Sequence, residues 1–199
     1  MIALLNFGVL IAASFLFSVF YVRSVSPAAR EKKFGEVAYA RCARDRTISS
    51  FFMLVVAGNY VLYYWFPLPL PVPRTFPWDW TVSAAMAVLI AIPSAYLMCR
   101  GVKDAGEETM RPRKEHRMYG GIYGKIRHPQ AVGELPFWWV IAFLVHSPFL
   151  VLFSFLYVPV WYSWCRAEER DLVLRYGAAY QQYMDRVGFW FPKRPGILR

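Results

Sequence analysis

The sequence predicts an all-α integral membrane protein with five transmembrane helices. Of its 199 residues, 57% are hydrophobic and 19% aromatic, which is more apolar surface than a soluble domain of this length has interior to bury. Several apolar runs are long enough to cross a bilayer, and the basic residues lie just outside them. The formal charge of +10 is therefore typical of membrane flanks beside anionic lipids, and we expect no nucleic-acid partner.

The first three predicted spans cover residues 2–22, 47–66 and 80–98. Residues 2–22 carry no charge and are long enough to cross the roughly 30 Å of hydrocarbon in a bilayer. The second and third spans are separated by the proline-rich segment 67–73, which cannot continue a helix. Pro93 lies inside the third span and is expected to kink it.

Residues 129–145 and 149–165 are the fourth and fifth predicted spans. The turn at 146–148 is so short that these two spans must form an antiparallel helical hairpin. Between residues 167 and 187, apolar and aromatic side chains recur at three- and four-residue spacing. This pattern predicts amphipathic helices on the membrane surface, which Gly177 is expected to divide.

The basic residues fall on one side of this predicted membrane topology. Every Lys and Arg except Arg74 lies in segments 23–46, 99–128 or 166–199. The positive-inside rule therefore places these segments in the cytosol, with the N-terminus outside and the C-terminus inside. No repeat or linker divides the sequence, so residues 1–199 are expected to form one membrane domain, and nothing in the sequence indicates an oligomeric state.

The cysteine and histidine residues do not indicate a metal site or a disulfide framework. Cys42, Cys99 and Cys165 are few and far apart, and two of them lie in or beside basic segments predicted to face the reducing cytosol. The three histidines have no partner at metal-ligand spacing. We therefore expect no metal cofactor.

A first polar cluster, residues 119–129, directly precedes the fourth span. Pro129 suits the first turn of a helix, which places Arg127 and His128 at a helix N-terminus. Free N–H groups and the positive end of the helix dipole favour an anion there, and Arg127 adds a donor for carboxylate or phosphate. Three glycines in the cluster permit close backbone approach to a ligand. An alternative of equal weight is that Arg127 only anchors the span and the glycines only form turns.

Glu134 and Arg166 are the candidate catalytic residues. Glu134 lies about 7.5 Å into the fourth span, where a carboxylate requires a charged partner or water. Arg127 and Arg166 are the partners expected for it. The alternative to a catalytic role is a structural ion pair at the membrane edge.

A second polar cluster contains Glu168 and Glu169 just beyond the fifth span. Adjacent residues lie about 100° apart around a helix, so only one of these carboxylates can readily face the hairpin interior, where it could bind the ribose hydroxyls or amino group of a nucleoside-type ligand. The other is expected to pair with an arginine or with solvent. Tyr176, Tyr180 and Tyr183 form an aromatic face that either packs on the bilayer surface or holds a cation such as a sulfonium.

Together, these segments resemble the isoprenylcysteine carboxyl methyltransferase and phospholipid N-methyltransferase superfamily of integral membrane enzymes. The matching motifs are Gly-Ile-Tyr-x-x-Ile-Arg-His-Pro-x-x-x-Gly at 121–133, Arg-x-Glu-Glu-x-x-Leu at 166–172, Tyr-Gly-x-x-Tyr-x-x-Tyr at 176–183 and Phe-Pro at 191–192. The resemblance covers roughly residues 118–193. It implies S-adenosylmethionine as the cofactor and a prenylated or lipid acceptor that enters from the bilayer, with membrane lipids as surroundings.

The resemblance also implies which residues bind the cofactor. They are Tyr123, Arg127, His128, Pro129, Gly133, Glu168 and Glu169. Members of the superfamily usually have a tyrosine two residues after the proline, where this chain has Ala131. This departure leaves the acceptor undefined: a carboxylate, an amine and a thiol all remain open.

Two other functions remain open at this stage. One is an NADPH-dependent membrane reductase of the sterol-reductase type, since those enzymes have a similar C-terminal pattern in longer chains. The other is a membrane scaffold that keeps the fold without the chemistry.

Overall fold

The computed structural model describes residues 1–114, 118 and 120–193, and these residues form helices with no β-strand among them. Tyr119, the first residue of the first polar cluster, lies outside the described residues. The N-terminal half contains α1 (Ile2–Ser24), α2 (Pro27–Phe34), α3 (Val37–Leu62) and α4 (Trp80–Ala105).

The C-terminal half begins with two short 3₁₀ turns, Gly106–Thr109 and Gly121–Gly124. The helices that follow are α5 (Pro129–Glu134), α6 (Phe137–Leu144), α7 (Pro148–Ser154), α8 (Tyr157–Tyr176) and α9 (Ala178–Arg186).

Three stretches of the described chain are long and apolar enough to cross a membrane: Ile2–Ser24, Trp80–Thr109 and Pro148–Tyr176. They contain the first, third and fifth predicted spans, so the assignment to the integral membrane class rests on them. The second predicted span largely coincides with α3, which begins ten residues earlier than predicted, inside the basic segment, and ends at Leu62, four residues earlier than predicted. The fourth is divided between α5 and α6. The five-span topology and its sidedness remain predictions.

Prolines explain why two predicted spans are each two helices rather than one. Pro136 has no N–H to donate to the Val132 carbonyl, and the α-helical hydrogen-bond pattern is interrupted there between α5 and α6, while the backbone at Leu135 and Pro136 keeps right-handed helical angles. Pro159 likewise cannot donate to the carbonyl of Phe155, which lies between α7 and α8. Both prolines lie inside long apolar runs, and each run was therefore predicted to be one continuous helix.

Helix α8 is longer than predicted. It runs without interruption from Tyr157 to Tyr176, so the amphipathic helix predicted from residue 167 is the continuation of the fifth span. Gly177, with φ +58°, ends α8 and separates it from α9. The predicted division at Gly177 is thereby confirmed.

The aromatic side chains form a core between α1, α3, α6, α7 and α8. Buried hydroxyl groups connect these helices inside the core, because Ser14 Oγ lies 2.8 Å from the Tyr157 hydroxyl and Tyr60 lies 3.2 Å from Ser154 Oγ. Hydrogen bonds of this kind stabilise helix contacts where lipid provides no hydrophobic driving force. The buried aromatic residues of the core include Phe17, Tyr60, Tyr63, Trp138, Tyr157, Trp161 and Trp164.

The short helix α2 is held by a side chain from α8. The backbone N–H groups of Ala28 and Ala29 donate to the Asp171 carboxylate at 3.1 and 2.8 Å. Amides in the first turn of a helix have no intrahelical acceptor, and α2 has no side-chain cap of its own, so Asp171 supplies the missing hydrogen-bond acceptors. This contact fixes the basic segment after α1 beside the end of α8 that carries the second polar cluster.

Helices α4 and α5 cross at two glycines. A Cβ atom added to Gly133 would lie 2.5 Å from the backbone nitrogen of Met98 and 2.7 Å from the Ser94 carbonyl oxygen. At Gly101 an added Cβ would lie 2.8 Å from Gln130 Cγ. The small residues therefore allow backbone contact between the helices, as is typical of membrane proteins.

We predict that Gly133→Ala lowers the thermal stability of the protein, because the added methyl group must displace the backbone of α4. Overpacking of this kind costs about 1–3 kcal/mol. Thermal unfolding in detergent would measure the change. Gly58→Ala in α3 is the matched control, since an added Cβ there meets no atom within 4 Å. Equal melting temperatures for the two variants would contradict the close contact.

Candidate functional site

The two polar clusters meet at the carboxylate of Glu169. Arg127 Nε donates to Glu169 Oε1 at 2.6 Å, and His128 Nε2 lies 3.2 Å from the same oxygen. Arg166 Nη1 donates to Glu169 Oε2 at 2.9 Å. The Glu169 side chain is only 3% exposed. A single buried carboxylate therefore joins α8 to the segment that precedes α5.

Local sequence rules explain this geometry. Pro129 occupies the first position of α5 and is fully buried, which makes His128 the N-terminal cap residue of that helix. Arg166 precedes Glu169 by three residues, so both side chains lie on one face of α8. The Arg127 N–H also donates to the Gly188 carbonyl at 2.9 Å, which brings the chain after α9 to the same place.

Both ring nitrogens of His128 face carboxylates. Nδ1 lies 3.4 Å from Glu168 Oε2, opposite the contact of Nε2 with Glu169. Carboxylates only accept hydrogen bonds, and only the protonated imidazole donates from both nitrogens. Burial acts to lower the pKa of His128, but hydrogen bonds with Cys165, Glu168 and Glu169 outweigh it and hold this pKa well above its usual value. The imidazolium form is thus favoured at neutral pH.

Beside this junction is a cavity of about 290 Å³. It is close to the lower end of the range of about 300–1,000 Å³ typical of small-molecule sites. Helices α1, α3, α4, α5, α8 and α9 all contribute to its walls. Its aromatic lining residues are Phe17, Tyr21, Tyr123, Tyr176, Tyr180 and Tyr183.

Five of the residues predicted for the site line this cavity. They are Tyr123, Arg127, His128, Glu134 and Glu168. The adjacent acids behave as helix geometry predicted, since Glu168 faces the cavity whereas Glu169 is turned toward the arginines.

The other four predicted residues, Pro129, Gly133, Arg166 and Glu169, do not line the cavity but belong to the helices that form it. Pro129 starts α5, and Gly133 contacts α4 rather than the cavity. Arg166 and Glu169 face a shallow depression on the opposite side. The cofactor contacts that the resemblance implies for Pro129, Gly133 and Glu169, and the catalytic role of Arg166, remain predictions.

Arg127 is engaged within the protein. Besides Glu169, its guanidinium donates through Nη1 to the carbonyl oxygens of Met184 and Val187, at 3.0 and 2.5 Å. Its side chain is 9% exposed. Arg127 therefore holds α9 and the following chain in place, which is a larger role than the anchor or anion donor expected of it.

Glu134 does not form the ion pair expected from the sequence. Both expected partners, Arg127 and Arg166, bind Glu169 instead. Within the described part of the chain, Glu134 has no hydrogen bond and no ion pair, and its carboxylate faces the cavity. That expectation was wrong because Glu169 lies closer to both arginines.

The glycines of the first polar cluster serve its turns. Gly121 has φ +62°, and the next amide, Ile122 N–H, donates to Asp104 Oδ2 at 2.7 Å. A Cβ at Gly121 would collide with that same carboxylate. The close approach at Gly121 is thus to Asp104, while added Cβ atoms at Gly120 and Gly124 would meet open space.

Helix α3 contributes a wall of the cavity that the sequence analysis missed. Arg46, Ser49, Ser50 and Met53 all line it. Ser49, Ser50 and Met53 follow Arg46 by three, four and seven residues, so the four side chains lie on one face of α3. This mainly polar face at the start of an apolar run is the sequence pattern that could have predicted a wall of the site. It was overlooked because Arg46 was attributed to the basic flank of the span.

A short segment after α4, residues 106–110, lines part of the cavity and is called the strap below. Glu108 Oε1 accepts from Arg175 Nη1 at 2.7 Å, and both side chains are nearly inaccessible to solvent. Arg46 Nη1 donates to the carbonyl oxygens of Glu108 and Thr109 at 2.9 and 2.7 Å. Gln130 Nε2 adds a bond to Thr109 Oγ1 at 3.1 Å. Side chains from three helices therefore hold the strap in place.

Comparison with known families identifies the class of protein. The sequence model of the family described as phospholipid methyltransferase matches residues 81–179, close to half of the chain. This region belongs to that family, which is part of the integral membrane methyltransferase superfamily that also contains isoprenylcysteine carboxyl methyltransferase. No curated protein and no solved structure matches the chain. The match contains every predicted site residue and extends into α4, beyond the region in which the motifs were recognised.

We predict that protonation of His128 contributes to stability in a pH-dependent way. Its pKa in the unfolded chain is about 6.5 and is raised by folding, so the stabilisation is complete below about pH 6.5 and is lost as pH rises through the raised value. Melting temperatures measured from about pH 6 to pH 9 should fall more steeply for the parent protein than for His128→Gln. Parallel curves would contradict the prediction.

Proposed function

We propose that this protein transfers the methyl group of S-adenosylmethionine to a lipophilic acceptor at the cytosolic membrane face. The observation that carries the proposal is the junction at Glu169, where two segments about forty residues apart form one wall of a cavity. The family of residues 81–179 supports methyl transfer. The basic segments support the cytosolic side.

The residues of the cavity fit a cofactor of this kind. The Glu168 carboxylate faces the cavity and is suited to the ribose hydroxyls or the amino group of an adenosyl group. The faces of Tyr180 and Tyr183 on α9 are suited to a sulfonium, because aromatic rings attract cations. When bound, the cofactor supplies an electrophilic methyl group on a positively charged sulfur.

The protein's contribution to such a transfer is alignment and exclusion of water. Methyl transfer is an in-line displacement, which requires no covalent enzyme intermediate and depends on holding donor and acceptor in register. The strap anchored by Arg46 and Arg175 lines one part of the cavity, and Met53 and Met98 provide apolar walls. A low-polarity enclosure favours a reaction in which charge is neutralised.

The acceptor is proposed to be lipophilic because the cavity lies among membrane helices. Phe17 and Met53 belong to α1 and α3, and both helices carry large exposed apolar side chains suited to lipid. The prenylated acceptor of the isoprenylcysteine enzymes and a phospholipid both meet this description. The proposed cofactor and acceptor are therefore brought together at the boundary between the polar junction and the aromatic core.

We predict that S-adenosylhomocysteine raises the melting temperature of the purified protein and that Glu168→Gln abolishes most of this shift. A ligand that binds only the folded state stabilises it, and loss of a charge-assisted hydrogen bond should weaken binding about 10- to 100-fold. The measurement is thermal unfolding in detergent over a range of ligand concentrations.

Glu36→Gln is the matched control, because Glu36 is exposed and lies far along the chain from the junction. It should leave the thermal shift unchanged. A shift with NADPH and none with S-adenosylhomocysteine would support the reductase instead. The absence of a thermal shift with either ligand would support the alternative of a non-catalytic membrane scaffold.

A further inference from the structure

We infer that Arg23 and Arg44 bind the phosphate group of an anionic phospholipid at the end of α1. This lipid is distinct from the proposed methyl acceptor, because in the described structure neither arginine lines the cavity. The inference therefore goes beyond the proposed function and does not depend on it.

Three arginines surround one buried carboxylate where α1, α2 and α3 meet. Asp45 is inaccessible to solvent, and its Oδ2 lies 3.2 Å from Arg23 Nε and 2.7 Å from Arg30 Nη1. Its Oδ1 lies 3.4 Å from Arg44 Nη2. One carboxylate thus faces three guanidinium groups, which leaves two positive charges without a counter-charge in this group of side chains.

The three arginines differ in how many donors they keep. Arg30 is mostly buried, and its Nη1 also donates to the carbonyl oxygen of Arg23 at 3.1 Å, so Arg30 holds α2 against the other two helices. The Arg23 and Arg44 side chains are 47% and 64% exposed. Within the described residues their guanidinium groups have no polar partner other than Asp45, so each keeps N–H groups for a ligand.

Asp45 holds the two exposed arginines close together before a ligand binds. An arginine on an open surface loses rotamer freedom when it binds a ligand, whereas here part of that loss has already occurred on folding. The fork of N–H groups on a guanidinium also matches the oxygens of a phosphate. The buried carboxylate therefore makes Arg23 and Arg44 a preorganised pair, unlike the separate basic residues of an ordinary membrane flank.

The position of Arg23 favours a lipid over a free phosphate ion. Arg23 lies in the last turn of α1, at the end of the apolar stretch Ile2–Ser24 that is long enough to cross a membrane. Its guanidinium carbon lies 5.4 Å from the centre of the Phe20 ring, which stacks on Phe52 of α3 at 5.9 Å. The charge is thus placed at the boundary between the hydrocarbon and the lipid headgroups.

Helix α3 continues the same pattern beside Arg44. Phe51 and Leu54 follow Arg44 by seven and ten residues, so the three side chains lie on one face of α3, and both apolar side chains are largely exposed. A lipid whose phosphate is bound by the arginine pair would lay its acyl chains along this apolar surface. A free phosphate ion would leave that surface unused.

The charge of the headgroup decides between classes of lipid. A zwitterionic headgroup carries an ammonium group beside its phosphate, and that ammonium would meet the two unneutralised positive charges of the arginine group. The carboxylate of Asp45 is buried beneath the arginines and is not exposed to bind it. An anionic headgroup such as that of phosphatidylglycerol brings no positive charge and is therefore the better match.

The test measures the melting temperature of the full chain in detergent micelles at fixed ionic strength. Three probes are titrated: short-chain phosphatidylglycerol, phosphatidylcholine with the same acyl chains, and inorganic phosphate. We expect phosphatidylglycerol to raise the melting temperature at concentrations at which the other two do not, because a ligand stabilises the folded state that binds it. An equal shift with phosphatidylcholine would overturn the preference for an anionic headgroup. An equal shift with inorganic phosphate would overturn the assignment of a lipid.

Arg23→Gln and Arg44→Gln test the assigned residues. Each should weaken phosphatidylglycerol binding about tenfold, because charge-assisted hydrogen bonds to the phosphate are lost. Arg44→Lys keeps the charge without the fork of donors and should recover only part of the affinity. Arg186→Gln is the matched control, since it removes the same charge from an exposed arginine at the end of α9. Equal affinities for Arg44→Gln and Arg186→Gln would overturn the site.

The same samples separate this inference from the proposed function. Both glutamine variants leave Arg30 bound to Asp45 at 2.7 Å, so their melting temperatures without lipid should stay close to that of the parent protein. The shift with S-adenosylhomocysteine reports the cavity and should be unchanged in both variants. If the shifts with lipid and with S-adenosylhomocysteine are lost together, the arginines act through the fold and the lipid site is overturned. If S-adenosylhomocysteine does not shift even the parent protein, the proposed function fails, whereas a lipid shift that depends on Arg23 and Arg44 still supports this inference.

Discussion

The buried carboxylate of Glu169 is the interaction on which the rest of the site depends. It accepts bonds from Arg127 and Arg166 and faces His128, and so joins α8 to the segment that precedes α5. Removing a carboxylate of this kind would leave the buried guanidinium of Arg127 without a counter-charge, which is strongly destabilising. Such an arrangement defines one geometry for the two polar clusters.

Because Glu169 takes both arginines and Glu108 is bound by Arg175, Glu134 and Glu168 are the cavity acids without an arginine partner among the described residues. Glu168 is turned toward the cavity, and Glu134 is left facing it without a partner. Two adjacent acids on one helix thus differ in role because they differ in direction by about 100°. The distribution of charge in the cavity follows from one structural pairing, and the proposed cofactor position follows from that distribution.

The sequence was sufficient to predict the helical membrane class, the division at Gly177 and the meeting of the two polar clusters. These features depend on hydropathy, on a local glycine and on ordered motifs, all of which act over short distances. It could not predict the pairing of Arg127 with Glu169, or the wall formed by Arg46 on α3, because both depend on how distant helices pack. The breaks at Pro136 and Pro159 follow from a local cause, the missing proline N–H, but the apolar runs that contain these prolines were each interpreted as one continuous span.

The most direct test of this account compares Glu169→Gln with Glu168→Gln in one unfolding experiment, with and without S-adenosylhomocysteine. Glu169→Gln should lose about 3–5 kcal/mol of stability, because it leaves the buried guanidinium of Arg127 without its ionic partner. Glu168→Gln, which changes a side chain that is 32% exposed and faces the cavity, should melt much closer to the parent protein but lose the ligand shift. The opposite pattern, or equal effects of the two substitutions, would contradict the division between a structural and a ligand-binding carboxylate.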